Sequence, residues 1–104
     1  MSSSSVSLSS LGLTGRGGAN PDIAGLAVDS RLVRSGFLFA ALPGSRVHGA
    51  EFIQYALRMG ASAVLTDAEG AVIAADVMAE AGVAVVVTDA PREALSRTAA
   101  LWYG

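Results

Sequence analysis

Asp29, Ser30 and Arg31 stand together directly after an apolar stretch that ends at Val28. A carboxylate accepts hydrogen bonds, a hydroxyl both donates and accepts, and a guanidinium offers a planar fork of donors. A second polar loop, Gly44-Ser45-Arg46-Val47-His48-Gly49, follows the apolar run from Phe37 to Leu42 and leads into a helix-patterned segment. Its glycines let the backbone approach an anionic group closely, and a helix start favours negative charge. Two such loops placed after apolar runs present amides and hydroxyls to a polar ligand.

Each of these residues also has a plainer use. Ser30 can offer its hydroxyl and backbone amide to a carbonyl or phosphate oxygen of a polar ligand, with Arg31 as a charged donor. Equally, Asp29 can cap backbone amides in an Asx-type turn while Arg31 merely pairs with it. His48 is the only histidine and there is no cysteine, so the expectation is a solvated loop residue and no metal site. Asp89 precedes Pro91 and reads as a helix N-cap rather than a general base. Trp102 and Tyr103 read as a helix anchor or an interface rather than a stacking platform. No Ser-His-Asp set and no paired catalytic carboxylates can be assembled, so catalysis by these residues alone is not expected.

Composition narrows the class further. A chain of 104 residues suits one domain. With 52% hydrophobic and 15% charged residues, disorder over most of it is not expected. No apolar run reaches the roughly 18 residues of a membrane span, and the serine-rich start lacks the basic and apolar regions of a signal peptide. Without cysteine there are no disulfides, which fits a reducing cytoplasm. A net charge of −2 with dispersed arginines argues against a nucleic-acid surface. All seven basic residues are arginine. A phosphate loop of the Walker type needs a lysine, so none can be present, and Schiff-base or lysine-nucleophile chemistry is excluded as well.

The elements that must position the two loops alternate in period. Met1 to Asn20 is serine- and glycine-rich, with Leu8, Leu11 and Leu13 as its regular apolar positions. It reads as a flexible N-terminal segment, residues 1–20, with one short helical turn and a loose Gly15–Gly18 link. Strands are expected from Asp22 to Val28, from Phe37 to Leu42, over Ala63–Thr66 and over Val83–Val87, the last buried on both faces. Helices are expected from Ala50 to a stop at Gly60, from Glu69 to Ala81 and from Pro91 onward, where Leu95, Ala99 and Trp102 turn inward. This α/β alternation predicts a mostly parallel sheet of about four to five strands flanked by helices. Ligands of such sheets sit beyond the carboxyl ends of the strands, where both polar loops fall.

These residues resemble the N-terminal domain of the Mur ligase family. The strongest stretch reads Asp29-Ser30-Arg31, two spacers, Arg34-Ser35-Gly36, then Leu38-Phe39-Ala40-Ala41 and Gly44. Gly49-Ala50-Glu51-Phe52, Gly60-Ala61-Ser62-Ala63 and Pro91-Arg92-Glu93-Ala94-Leu95 continue it in order. The resemblance runs from Ile23 to Gly104. It is closest to the enzymes that add 2,6-diaminopimelate or L-lysine to UDP-N-acetylmuramoyl-L-alanyl-D-glutamate.

The resemblance implies a Rossmann-like domain, residues 21–104, that holds the UDP end of this substrate. The parent would be a cytoplasmic, ATP-dependent amide ligase of peptidoglycan synthesis, serving cell shape and division. Carried over singly, it implies substrate contacts at Val28, Ser30, Ser45, Arg46 and Val47, with Asp29 and Arg31 shaping their loop. ATP and Mg²⁺ would belong to the parent ligase, with no cofactor in this chain. The partners implied are UDP-N-acetylmuramoyl dipeptide and the central and C-terminal ligase domains, with neither nucleic acid nor membrane. Lacking the lysine-bearing ATP loop, the chain is expected to be a fragment or separated domain, inactive alone.

Two positions depart from the family pattern. Ser35 and Phe37 stand where proline and an acidic residue are common, and His48 stands where aspartate is common. Two alternatives remain: the N-terminal domain of the ligase that adds D-alanyl-D-alanine, and a non-enzymatic scaffold with the same fold.

Overall fold

Successive side chains of a strand point to opposite faces, and both faces of the central strands are buried, which sorts their side chains into two layers. In the computed structural model, which describes residues 5–104, four strands form a parallel sheet: β3 (Gly25–Ala27), β4 (Phe37–Ala40), β5 (Ala63–Thr66) and β6 (Ala84–Val87), in that spatial order. β4 aligns Leu38 with Leu26 of β3 and with Ala63 of β5. Leu38, Ala40, Ala63, Leu65, Ala84 and Val86 belong to one buried cluster, whereas Phe39, Ala41 and Val64 belong to another. Burial on both faces is the reason the strands read as nearly unbroken apolar runs.

The second cluster is closed by Ile53 and Ala56 of α1 (Ile53–Arg58) and by Met78 of α3 (Ala75–Ala81). The first is covered by Ala94, Leu95 and Trp102 of α4 (Pro91–Tyr103), and also by Leu8, Leu11 and Leu13. Residues 5–13, expected to be part of a flexible start, are thus built into the core; residues 1–4 lie outside the described residues. Leu8 is wholly buried. A strand β1 (Val6–Ser7) pairs antiparallel with β2 (Asp22–Ile23), and a 3₁₀ turn over Leu8–Leu11 is capped by Ser7. α4 alone leaves part of that sheet face to cover, and three leucines supply the missing apolar area.

Several boundaries also differ from expectation. The first expected strand is two short ones, interrupted at Ala24, and Val28 lies beyond β3 and exposed. The expected helix from Glu69 to Ala81 bends at Ala74 into α2 (Ala68–Ile73) and α3. The bend keeps Ala74 and Met78 in the core while Val72 stays 78% exposed. β6 is an edge strand, so Val85 is only partly buried. Pro91 occupies the first position of α4, which makes Ala90 the cap residue and leaves Asp89 one position too early and exposed. Gly60, which ends the α1 segment, has φ +104°, and a Cβ there would lie 2.8 Å from the Ser35 Cα. No helix among the described residues is long and apolar enough to cross a membrane.

Candidate functional site

Parallel strands send their carboxyl ends to one edge, so the segments after β3 and β4 emerge side by side. There Val28, Asp29, Ser30 and Arg31 form one wall of a cavity of about 620 Å³, and Phe52 and Tyr55 form the other. Two half-exposed aromatic rings and Val28 offer apolar faces, the lining that suits a flat heterocycle. The Ser30 hydroxyl has no hydrogen-bond partner among the described residues. It is therefore free to donate to or accept from a ligand edge.

The adjoining charges are already engaged. Asp29 caps the 3₁₀ turn Ser30–Leu32 by accepting from the Arg31 amide at 2.9 Å. Its two carboxylate oxygens also accept from Arg31 Nε at 3.0 Å and from a terminal guanidinium nitrogen at 2.7 Å. Those bonds from Arg31 bring the Asp29 pKa from 3.8 down to about 2, and they raise that of Arg31 in turn. Arg31 therefore reinforces the turn, and the Asx-turn description accounts for both residues.

The loop after β4 is built differently. Its neck is closed by the Gly49 amide donating to the Leu42 carbonyl at 2.8 Å. Arg92 of α4 donates to the Pro43 carbonyl at 2.6 Å. His48, expected in solvent, is buried. Its Nδ1 accepts from the Ala50 amide at 2.9 Å, which places the ring proton on Nε2, and Nε2 donates to Asp67 Oδ1 at 2.8 Å. Asp67 also caps α2 by accepting from the Gly70 amide at 2.8 Å. Burial works to raise the Asp67 pKa, but the Gly70 amide and the His48 ring outweigh it and hold the carboxyl below its usual range.

Ser45, Arg46 and Val47 project from this loop, exposed. They do not line the cavity. The structure thus brings Val28 and Ser30 together in the cavity wall and places Ser45, Arg46 and Val47 in a neighbouring loop on the same edge of the sheet. Phe52 and Tyr55, which line the cavity, are not among the site residues that the sequence marks. Their spacing marks one helix face, which reads as core until the neighbouring turn is seen to face it.

Donor atoms of His48, Asp67 and Glu69 lie within 4.8 Å of one another. Both imidazole nitrogens and one Asp67 oxygen are already engaged, so a metal ion there would displace the Ala50 or Asp67 bond of His48.

Comparison with known proteins settles the family. The Mur ligase family, catalytic domain, matches residues 22–103. The chain belongs to the Mur ligase family. A UDP-N-acetylmuramoyl-L-alanyl-D-glutamate--2,6-diaminopimelate ligase from Streptomyces coelicolor is 49% identical over 80% of this chain and 16% of its own length. The enzyme of that name from Streptomyces avermitilis is 47% identical over 85% of the chain and 17% of its own length. The chain thus spans about one sixth of the length of these Mur ligases. Among solved structures, MurF from Acinetobacter baumannii shares the fold with a TM-score of 0.63 at 22% identity, covering 89% of this chain and 19% of that one.

Proposed function

We propose that this Mur ligase chain holds the UDP end of UDP-N-acetylmuramoyl-L-alanyl-D-glutamate for the ligase that adds the third peptide residue in peptidoglycan synthesis. The cavity between Val28–Arg31 and Phe52–Tyr55 carries the proposal. It lies at the carboxyl edge of a parallel sheet, where ligands of such folds bind. Val28, Phe52 and Tyr55 form faces for the uracil ring, and Ser30 supplies one hydrogen bond to its edge. Ser45, Arg46 and Val47 meet the diphosphate beyond. Arg46 suits that role because its guanidinium forms no ion pair among the described residues, whereas Arg31 is held by Asp29. The names of the relatives at 49% and 47% identity support the third-residue reaction over the D-alanyl-D-alanine addition.

ATP does not fit these 104 residues. Activating the substrate carboxylate needs a cradle of cations and Mg²⁺ around the transferred phosphate, and the sequence holds no lysine for a phosphate loop. We place ATP, Mg²⁺ and the incoming amino acid on other parts of the ligase, and the reaction in the cytoplasm. Contacts to one end of a long substrate forfeit the affinity that the other parts add. Calorimetric titration with UDP-N-acetylmuramoyl-L-alanyl-D-glutamate is therefore expected to give a dissociation constant in the high-micromolar to millimolar range, about −4 to −6 kcal/mol. No heat at millimolar ligand would favour the scaffold alternative. ATP-dependent turnover by the chain alone would overturn the assignment of ATP elsewhere.

A further inference from the structure

We propose that His48 is a positioning residue. Its ring latches the Gly44–Gly49 loop to the cap of α2, and so fixes the loop that receives the substrate's diphosphate. The inference rests on the functional reading above and adds a residue to it.

Both imidazole nitrogens are used, and they are used differently. Nδ1 caps the turn Gly49–Phe52 through the Ala50 amide, and this turn carries Phe52 into the cavity wall. Nε2 reaches a residue 19 positions away, Asp67, whose carboxylate caps α2 at the carboxyl end of β5. A short side chain can do the first job alone. Only a side chain with a second polar atom at the far end can do both.

α2 is shaped to admit the ring. A Cβ on Gly70 would collide with Thr66 Oγ1 and lie 2.8 Å from His48 Cε1. Thr66 itself donates to the Ala41 carbonyl at 2.9 Å, which ties the same corner to the end of β4. With Arg92 holding Pro43 on the other side, the loop is clamped at both ends. Ser45, Arg46 and Val47 between the clamps keep exposed side chains. A loop ordered before the ligand arrives binds more tightly, because less conformational freedom is lost on binding.

The test separates the latch from the caps. His48→Asn keeps an acceptor for the Ala50 amide but is too short to reach Asp67. Asp67→Ser keeps the α2 cap but is too short to reach His48. Each variant is expected to lose about fivefold in UDP affinity, the scale of one net hydrogen bond. Amides of Ser45 to Gly49 should exchange faster while β5 amides stay protected. The double variant should lose no more than either single one, because both remove one interaction. Asp67→Asn, which retains the Oδ1 acceptor, should bind UDP as the unsubstituted chain does.

Unchanged UDP affinity in both single variants, or losses that multiply in the double, would overturn the latch. So would unchanged exchange across Ser45–Gly49, and this readout needs no ligand. Failure of the unsubstituted chain to bind UDP would overturn the functional reading instead. Should His48→Asn not fold, Asp67→Ser decides the matter alone by the same two readouts.

Discussion

In the turn after β3, the side-chain bonds of Asp29 close on Arg31, two residues away. In the loop after β4, the partners lie 19 residues off, at Asp67, and 49 residues off, where Arg92 meets Pro43. The two segments sit at the same edge of the sheet and are proposed to serve one ligand. The first is a self-contained turn that local sequence can specify. The second is held in shape by the rest of the fold and depends on β5, α2 and α4 being in place. Damage to the core or to a distant cap should therefore reach the second loop before the first.

The largest expected effect comes from removing what the two loops share. Phe39 is buried in the same cluster as Ala27, which precedes the first turn, and as Ala41 and Ala50, which flank the second loop. Phe39→Ala should cost about 3–5 kcal/mol through lost burial and the cavity left behind, read as a drop in the urea-unfolding midpoint. A loss below about 1 kcal/mol would show that this ring does not form a common floor.

Asp67→Ala separates the loops. Removing the cap of α2 should cost about 0.5–2 kcal/mol. Amide exchange should quicken across Ser45–Gly49 and stay unchanged at Ser30–Leu32. Equal loosening of both segments would contradict the difference in their construction.

Ser30→Ala touches the first turn only. It should weaken UDP binding by about 0.5–1.5 kcal/mol, the net worth of one neutral hydrogen bond, with the melting curve unaltered. The smallest effect concerns the ion pair beneath it. Because the Asp29 pKa is lowered to about 2 in the folded chain, the pair contributes above the ordinary carboxylate pKa of about 4 and is lost as pH falls towards 2. The Asp29 carboxyl carbon, followed by NMR, should titrate near that lower value rather than near the ordinary carboxylate pKa of about 4.

What the sequence made legible follows the same division. Ala63–Thr66 emerged with its observed bounds, because a short apolar run between a glycine stop and a helix pattern admits few other forms. Asp29 and Arg31 were legible as a turn because Asx chemistry is local. His48 was misplaced in solvent because its partner Asp67 belongs to another element, and nothing in spacing connects them. The N-terminal leucines were discounted for a similar reason. Leu8, Leu11 and Leu13 lie in a serine- and glycine-rich stretch whose local propensity is weak, and only the uncovered sheet face gives them a place. Phe52 and Tyr55 carry the helical period, so their facing the cavity became apparent only once the Val28–Arg31 turn was set opposite them.

The edge of the sheet after β3 and β4 is proposed to take the UDP end of the substrate. The most direct measurement is a titration of the ¹⁵N-labelled chain with UDP, followed by amide shifts. Saturable changes are expected at Val28, Ser30, Phe52 and Tyr55, with accompanying changes at Ser45, Arg46 and Val47. Changes centred elsewhere, or none at millimolar UDP, would contradict it.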